Sequence, residues 1–251
     1  MSEQPLGMET RGTQTQAYAQ ASIAWYGKLP SLGDFAGRRM SHALTTEWDG
    51  WLRAGMDELR RADDAGWPDT FVSAPLWFFI AHVASSGSPV MGALAPSMDR
   101  VGRYYPLTVM ATAPRTGCPF ADDAEVKSFL AGARAAIVEA RRRTLSVDEL
   151  DRRVTQLTSP FESAPPIERE PSLIHDILTD LTEASRAHQS AVGEQPAENI
   201  VLPPGDWRLR AAGLREQSLW WVSPTVRVGY QELLHEGLCD RWLFTQLFSR
   251  I

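Results

Sequence analysis

Apolar positions along the chain recur with two different periods, and the switches between them mark out the elements. Between residues 43 and 61, Leu44, Trp48, Trp51, Leu52, Met56 and Leu59 recur mostly at three and four, which lines them along one face of an amphipathic helix. Ser41 precedes it as an N-cap. Residues 22–29, Ser-Ile-Ala-Trp-Tyr-Gly-Lys-Leu, are rich in strand formers and stop at Pro30; a Gly turn and a second short extended piece follow. Gly66-Trp67-Pro68-Asp69 reads as a loop. The aromatic and β-branched crowding of residues 75–83 then predicts a buried strand. Residues 90–95 and 105–112 flank a polar connection and are expected to pair.

The period then becomes helical. Val126, Phe129, Leu130, Ala133, Ile137 and Ala140 form a stripe ending in Arg141-Arg142-Arg143, a favourable charge at the negative end of a helix dipole. A second helix is predicted over residues 147–157. Residues 159–171 hold four prolines, and 193–205 hold Pro196, Pro203 and Pro204, so both read as surface connections. Between them Leu173, Ile174, Ile177, Leu178 and Leu181 give one more helix a dry face. Residues 218–222 return to strand character before a C-terminal helix around Trp242, Leu243, Leu247 and Phe248. This order predicts an α+β fold, a mainly antiparallel sheet with helices packed on both faces. Residues 1–20 are expected to be a flexible leader. Residues 21–251 are expected to be a single domain in which segment 160–251 packs onto a 21–158 core.

Composition narrows the function classes. A 43% hydrophobic fraction with nine Trp and nine Phe argues for a globular chain. A formal charge of -6 and a pI near 5.4 offer no basic face for nucleic acid or anionic lipid. The apolar run at residues 74–84 is too short to span a bilayer, and the polar N-terminus lacks the apolar core of a signal peptide. Cys118 and Cys239 stand far apart, with no nearby His or Cys at ligand spacing. The expectation is a soluble cytoplasmic protein with no metal and no cofactor. Five histidines (His42, His82, His175, His188, His235) do not cluster, and there is neither a Gly-x-Ser-x-Gly elbow nor a phosphate loop. Ser97, Asp99 and His82 are the nearest approach to a hydrolase, so the expectation is no enzyme.

Three segments remain: Gly27-Lys28-Leu29-Pro30-Ser31-Leu32-Gly33-Asp34-Phe35, then Pro96-Ser97-Met98-Asp99-Arg100-Val101-Gly102-Arg103-Tyr104-Tyr105-Pro106-Leu107, and Ser218-Leu219-Trp220-Trp221. In content and order the sequence resembles the TagF (ImpM) family of type VI secretion systems, whose members show G-K-L/P-P-x-x-G-D-F, P-S-x-D-R-x-G-R-x-F/Y-P-L and L-W-W. The middle segment carries most of the specificity. The sequence departs from the family pattern in its polar leader and in lacking a clear Gly-rich loop after Trp221. The resemblance implies a three-layer α/β/α sandwich of longin-like character. It also implies a post-translational regulator of type VI secretion, in many relatives a repressor, that engages a forkhead-associated scaffold protein. The alternative is a small hydrolase or ligand-binding domain using the Asp99 region.

Candidate partner-binding residues are Lys28, Asp34, Asp99, Arg100, Arg103 and Trp220. Two guanidinium forks and a carboxylate in one turn suit either an acidic partner surface or an internal brace in which Asp99 caps the turn and pairs with one arginine. Lys28 and Asp34 would be rim charges of the same surface if the first hairpin and the Asp99 turn share an end of the sheet. Gly33 is expected to adopt a positive φ. Trp220 and Trp221 must point to opposite faces; one enters the main core, and the other is covered by the C-terminal helix or exposed as a partner anchor.

Overall fold

In β1 (Ser22–Lys28) the strand formers pair on both sides, with β2 (Phe35–Arg38) and with β5 (Leu107–Thr112). The structure is a computed structural model, and it describes residues 22–114, 119–162, 200–214, 217–226, 228–237 and 239–249. The leader, Cys118, His175, His188 and the helix expected around Leu173 to Leu181 lie outside the described residues. Among the described residues the remaining strands are β3 (Trp77–His82), β4 (Pro89–Ala95), β6 (Gln217–Val222) and β7 (Gln231–Glu236). They complete a seven-stranded sheet in the order β2-β1-β5-β4-β3-β6-β7, antiparallel at every pairing.

Six α-helices lie among the described residues: α1 (His42–Ala62), α2 (Trp67–Ser73), α3 (Asp123–Arg143), α4 (Val147–Thr155), α5 (Trp207–Gly213) and α6 (Arg241–Phe248). The Ser41 side chain accepts from the Leu44 amide and caps α1, as its position predicted. Ser146 and Glu149 cap α4 reciprocally. The expected loop at residues 66–69 is instead the entry to α2. Pro68 sits in the first turn of that helix, where its missing N–H has no intrahelical partner to lose.

Side chains alternate along the strands between two core clusters, the consequence of a two-residue strand period. Trp25, Phe78, Ile80, Met91, Val109 and Trp221 pack with apolar residues of α3, α4 and α5. Phe79, Val90, Leu94, Met110 and Trp220 pack with those of α1, α2 and α6. Trp220 and Trp221 do face opposite ways, and both are fully buried because each face has its own core. The α6 side chains cover the Trp220 side, with Trp51 at 5.5 Å between ring centroids. The C-terminal helix expected around Trp242 is present, and Trp242 itself is 58% exposed. The buried stripe is Leu243, Phe244, Leu247 and Phe248, which leaves Trp242 outside it beside the Arg241 guanidinium. No described helix is long and apolar enough to cross a membrane.

This topology brings two connections to one end of the sheet. Lys28 ends β1, Ala95 ends β4 and Leu107 begins β5, with Ala95 opposite Leu107 and Leu107 opposite Gly27. The turn at residues 29–34 and the connection at 96–106 therefore emerge side by side. The end of α3 reaches the same place, where the Ser31 hydroxyl donates to the Leu145 carbonyl at 2.6 Å.

Candidate functional site

The connection between β4 and β5 folds back on itself, with Met98 bridging Tyr104 and the Tyr105 amide donating to the Ser97 carbonyl. Gly102, at φ 83°, supplies the left-handed step that closes the turn. Asp99 is at its centre with a fully covered side chain. One carboxylate oxygen accepts from the amides of Val101 (3.0 Å) and Arg103 (2.8 Å). The other accepts from Lys28 Nζ at 3.0 Å and Arg103 Nε at 2.6 Å. Burial alone would raise the Asp99 pKa; the Arg103 amide, the Lys28 ammonium and the Arg103 guanidinium outweigh it and hold the carboxyl well below the ordinary range.

The first hairpin is tied to this turn. The Arg100 amide donates to the Leu32 carbonyl at 3.0 Å, the Arg103 guanidinium donates to the Gly33 carbonyl, and the Ser97 hydroxyl donates to the Lys28 carbonyl at 2.8 Å. Four of the six candidate residues, Lys28, Asp99, Arg100 and Arg103, thus belong to one assembly. Lys28 is not a rim charge: it is 6% exposed and neutralised by Asp99, since an ammonium at the end of a central strand is buried only with a partner. Asp34 is exposed and its carboxylate accepts from the adjoining Phe35 amide. Trp220 lies in the core, with its indole N–H on the Ser218 hydroxyl, and offers no surface to a partner. Gly33 does not take a positive φ; Gly27 (145°) and Gly102 do. What remains exposed is the tip: Arg100, Val101 at 65% and the outer part of Arg103.

A second polar assembly, which no reading of the sequence singled out, braces the same hairpin against α1. Asp49 Oδ1 accepts from the hydroxyls of Tyr26 and Tyr105, each at 2.7 Å, and Oδ2 accepts from Arg53 Nε at 2.5 Å. Phe35 stacks on Tyr26 and meets Tyr105 edge-on, with Lys28 Nζ and the Arg53 guanidinium 4.9 and 5.0 Å from its ring. Burial first, and then the hydrogen bond and charge of Asp49, push both tyrosine hydroxyls far above their ordinary pKa. The only local signal was the four-residue spacing of Asp49 and Arg53 on a helix.

The hydrolase-like combination is not assembled. Ser97 follows β4 at one end of the sheet, whereas His82 pairs with Pro89 at the other, separated by the length of β3, about 17 Å. The described residues contain no group of three or more His, Cys, Asp or Glu placed to hold a metal.

By sequence family the chain falls in the class of type VI secretion-associated proteins. The family model described as TagF N-terminal domain, Type VI secretion system-associated, matches residues 24–157. The chain belongs to the TagF family. It is similar to the crystal structure of PA0076 from Pseudomonas aeruginosa PAO1, at 26% identity over 91% of this chain and 94% of that one, with a TM-score of 0.62. No curated protein matches the sequence.

Proposed function

We propose that this protein is a cytoplasmic post-translational repressor of type VI secretion that works by binding a forkhead-associated scaffold protein of the apparatus, without catalysis. Membership of a type VI secretion-associated family supports the pathway. The observation that carries the mode of action is the Arg100 to Arg103 tip. Its arginines and Val101 project from a turn whose backbone is locked by a buried carboxylate, so little conformational entropy is lost when a partner is engaged. The two helix-covered core clusters support a three-layer, longin-like sandwich, with residues 21–251 acting as one domain.

The test is paired. In a type VI-competent bacterium, raising the level of this protein is expected to lower the amount of type VI substrate in the culture supernatant without lowering its cellular level. The tagged chain is expected to retain the scaffold protein. Retention of no scaffold, or unchanged secretion, refutes the proposal.

A further inference from the structure

Beside the Asp99 turn, the same end of the sheet opens into a cleft of about 410 Å³, within the ~300–1,000 Å³ range of ligand-sized sites. Pro30, Pro96, Ser97 and Met98 line it from the two connections, Val72 from α2, and Val138, Arg141 and Arg142 from α3. Val72 and Met98 are 39% and 38% exposed, so the apolar part of the lining is open to solvent.

Its charge is one-sided. Among the described residues, neither the Arg141 nor the Arg142 side chain makes an ion pair or hydrogen bond, although the chain as a whole carries a formal charge of -6. Their place in the last turn of α3 suits the helix dipole, but a partial charge of about half a unit leaves most of two full positive charges unneutralised. Adjacent like charges repel, and a carboxylate bound between them relieves that repulsion while using the bidentate geometry of the guanidinium.

We propose that this cleft receives an acidic segment of a protein partner, one apolar side chain entering between Val72, Met98 and Val138 while flanking carboxylates pair with Arg141 and Arg142. The inference rests on the scaffold-binding reading above and adds a second contact surface beside the Arg100 to Arg103 tip, together with the chemistry the segment bound there must have.

The purified full chain is titrated with the purified scaffold protein by calorimetry at low and high salt. Arg141→Glu combined with Arg142→Glu is expected to weaken binding about tenfold or more. Val72→Glu on the facing wall is expected to do the same, and Arg141→Lys with Arg142→Lys to keep most of the affinity. Wild-type binding should weaken with salt. Should the double charge reversal fail to fold, Val72→Glu decides. Tight wild-type binding that neither acidic variant reduces overturns the cleft and leaves the scaffold reading standing, whereas no wild-type binding at all overturns the scaffold reading itself.

Discussion

Replacing Asp99 by Asn isolates what holds the candidate site together. The side chain keeps its shape but loses its charge, and whichever way the amide turns its NH2 group faces donors, either the Val101 and Arg103 amides or Lys28 Nζ and Arg103 Nε. Lys28 is then left 6% exposed without a counter-charge. Removing one partner of a buried pair costs ~3–5 kcal/mol. Asp99, though fully covered, lies shallowly under the exposed Arg103 side chain, so the lower end, about 3 kcal/mol, applies. For a chain of this size that corresponds to a fall in Tm of about 6–12 °C. The assay is thermal and urea unfolding of wild type, Asp99→Asn, Lys28→Met and the double variant at neutral pH. The double variant is expected to be less destabilised than the sum of the singles by more than about 1 kcal/mol, because the second change removes the charge that the first left stranded. The pH dependence has a definite sign. Since the folded pKa of Asp99 is depressed, its contribution is fully present above the unfolded value of about 3.9 and is lost as pH falls below it towards the folded pKa. Wild type and Asp99→Asn should therefore converge only in acid. Additive single effects, or an Asp99→Asn protein within about 0.5 kcal/mol of wild type, would refute the reasoning.

Asp49→Ala leaves the Tyr26 and Tyr105 hydroxyls without their acceptor and is expected to cost ~1–3 kcal/mol in urea unfolding. Because both tyrosine pKa values are raised in the folded protein, the stability they contribute is present below about pH 10 and lost as pH rises beyond it; ultraviolet titration should show earlier tyrosinate formation in Asp49→Ala. Gly102→Ala meets no neighbouring atom and is expected to cost only the ~1–2 kcal/mol of a left-handed alanine, read as a modest fall in Tm. Gly27→Ala would place Cβ 2.2 Å from the Pro106 carbonyl oxygen and is expected to be far more disruptive, to the point of insoluble expression. Arg100→Ala should stay within about 0.5 kcal/mol of wild type, while Arg103→Ala, whose pairing with Asp99 is partly screened by exposure, should lose about 1 kcal/mol; both should weaken scaffold retention.

The α1 stripe, its Ser41 cap, the buried β3 strand and the α3 stripe were legible because each is a local pattern repeated over many residues. Less legible were α5, β7 and α2, all short elements. The alternation of Gln231–Glu236 mixes charged and apolar side chains on an edge strand, and Pro68 reads as a turn signal wherever it stands. Within the site, the motifs located the Asp99 turn but not its partners. Lys28 stands 71 positions from Asp99, and Asp49 stands 56 from Tyr105.

The sequence by itself determined the long helices α1 and α3, the strands at the centre of the sheet, the α+β class, the opposed directions of Trp220 and Trp221, and through its motifs the TagF family. Periodicity and capping act over a few residues, so they can be read without knowing what the chain folds against. Only the tertiary structure decided that both tryptophans are buried, that Lys28 is spent inside on Asp99, and that Arg141 and Arg142 remain at an open cleft. Burial and ion pairing depend on which distant segments the strand order brings together, and here it places β1 beside β5 and the end of α3 over the first hairpin.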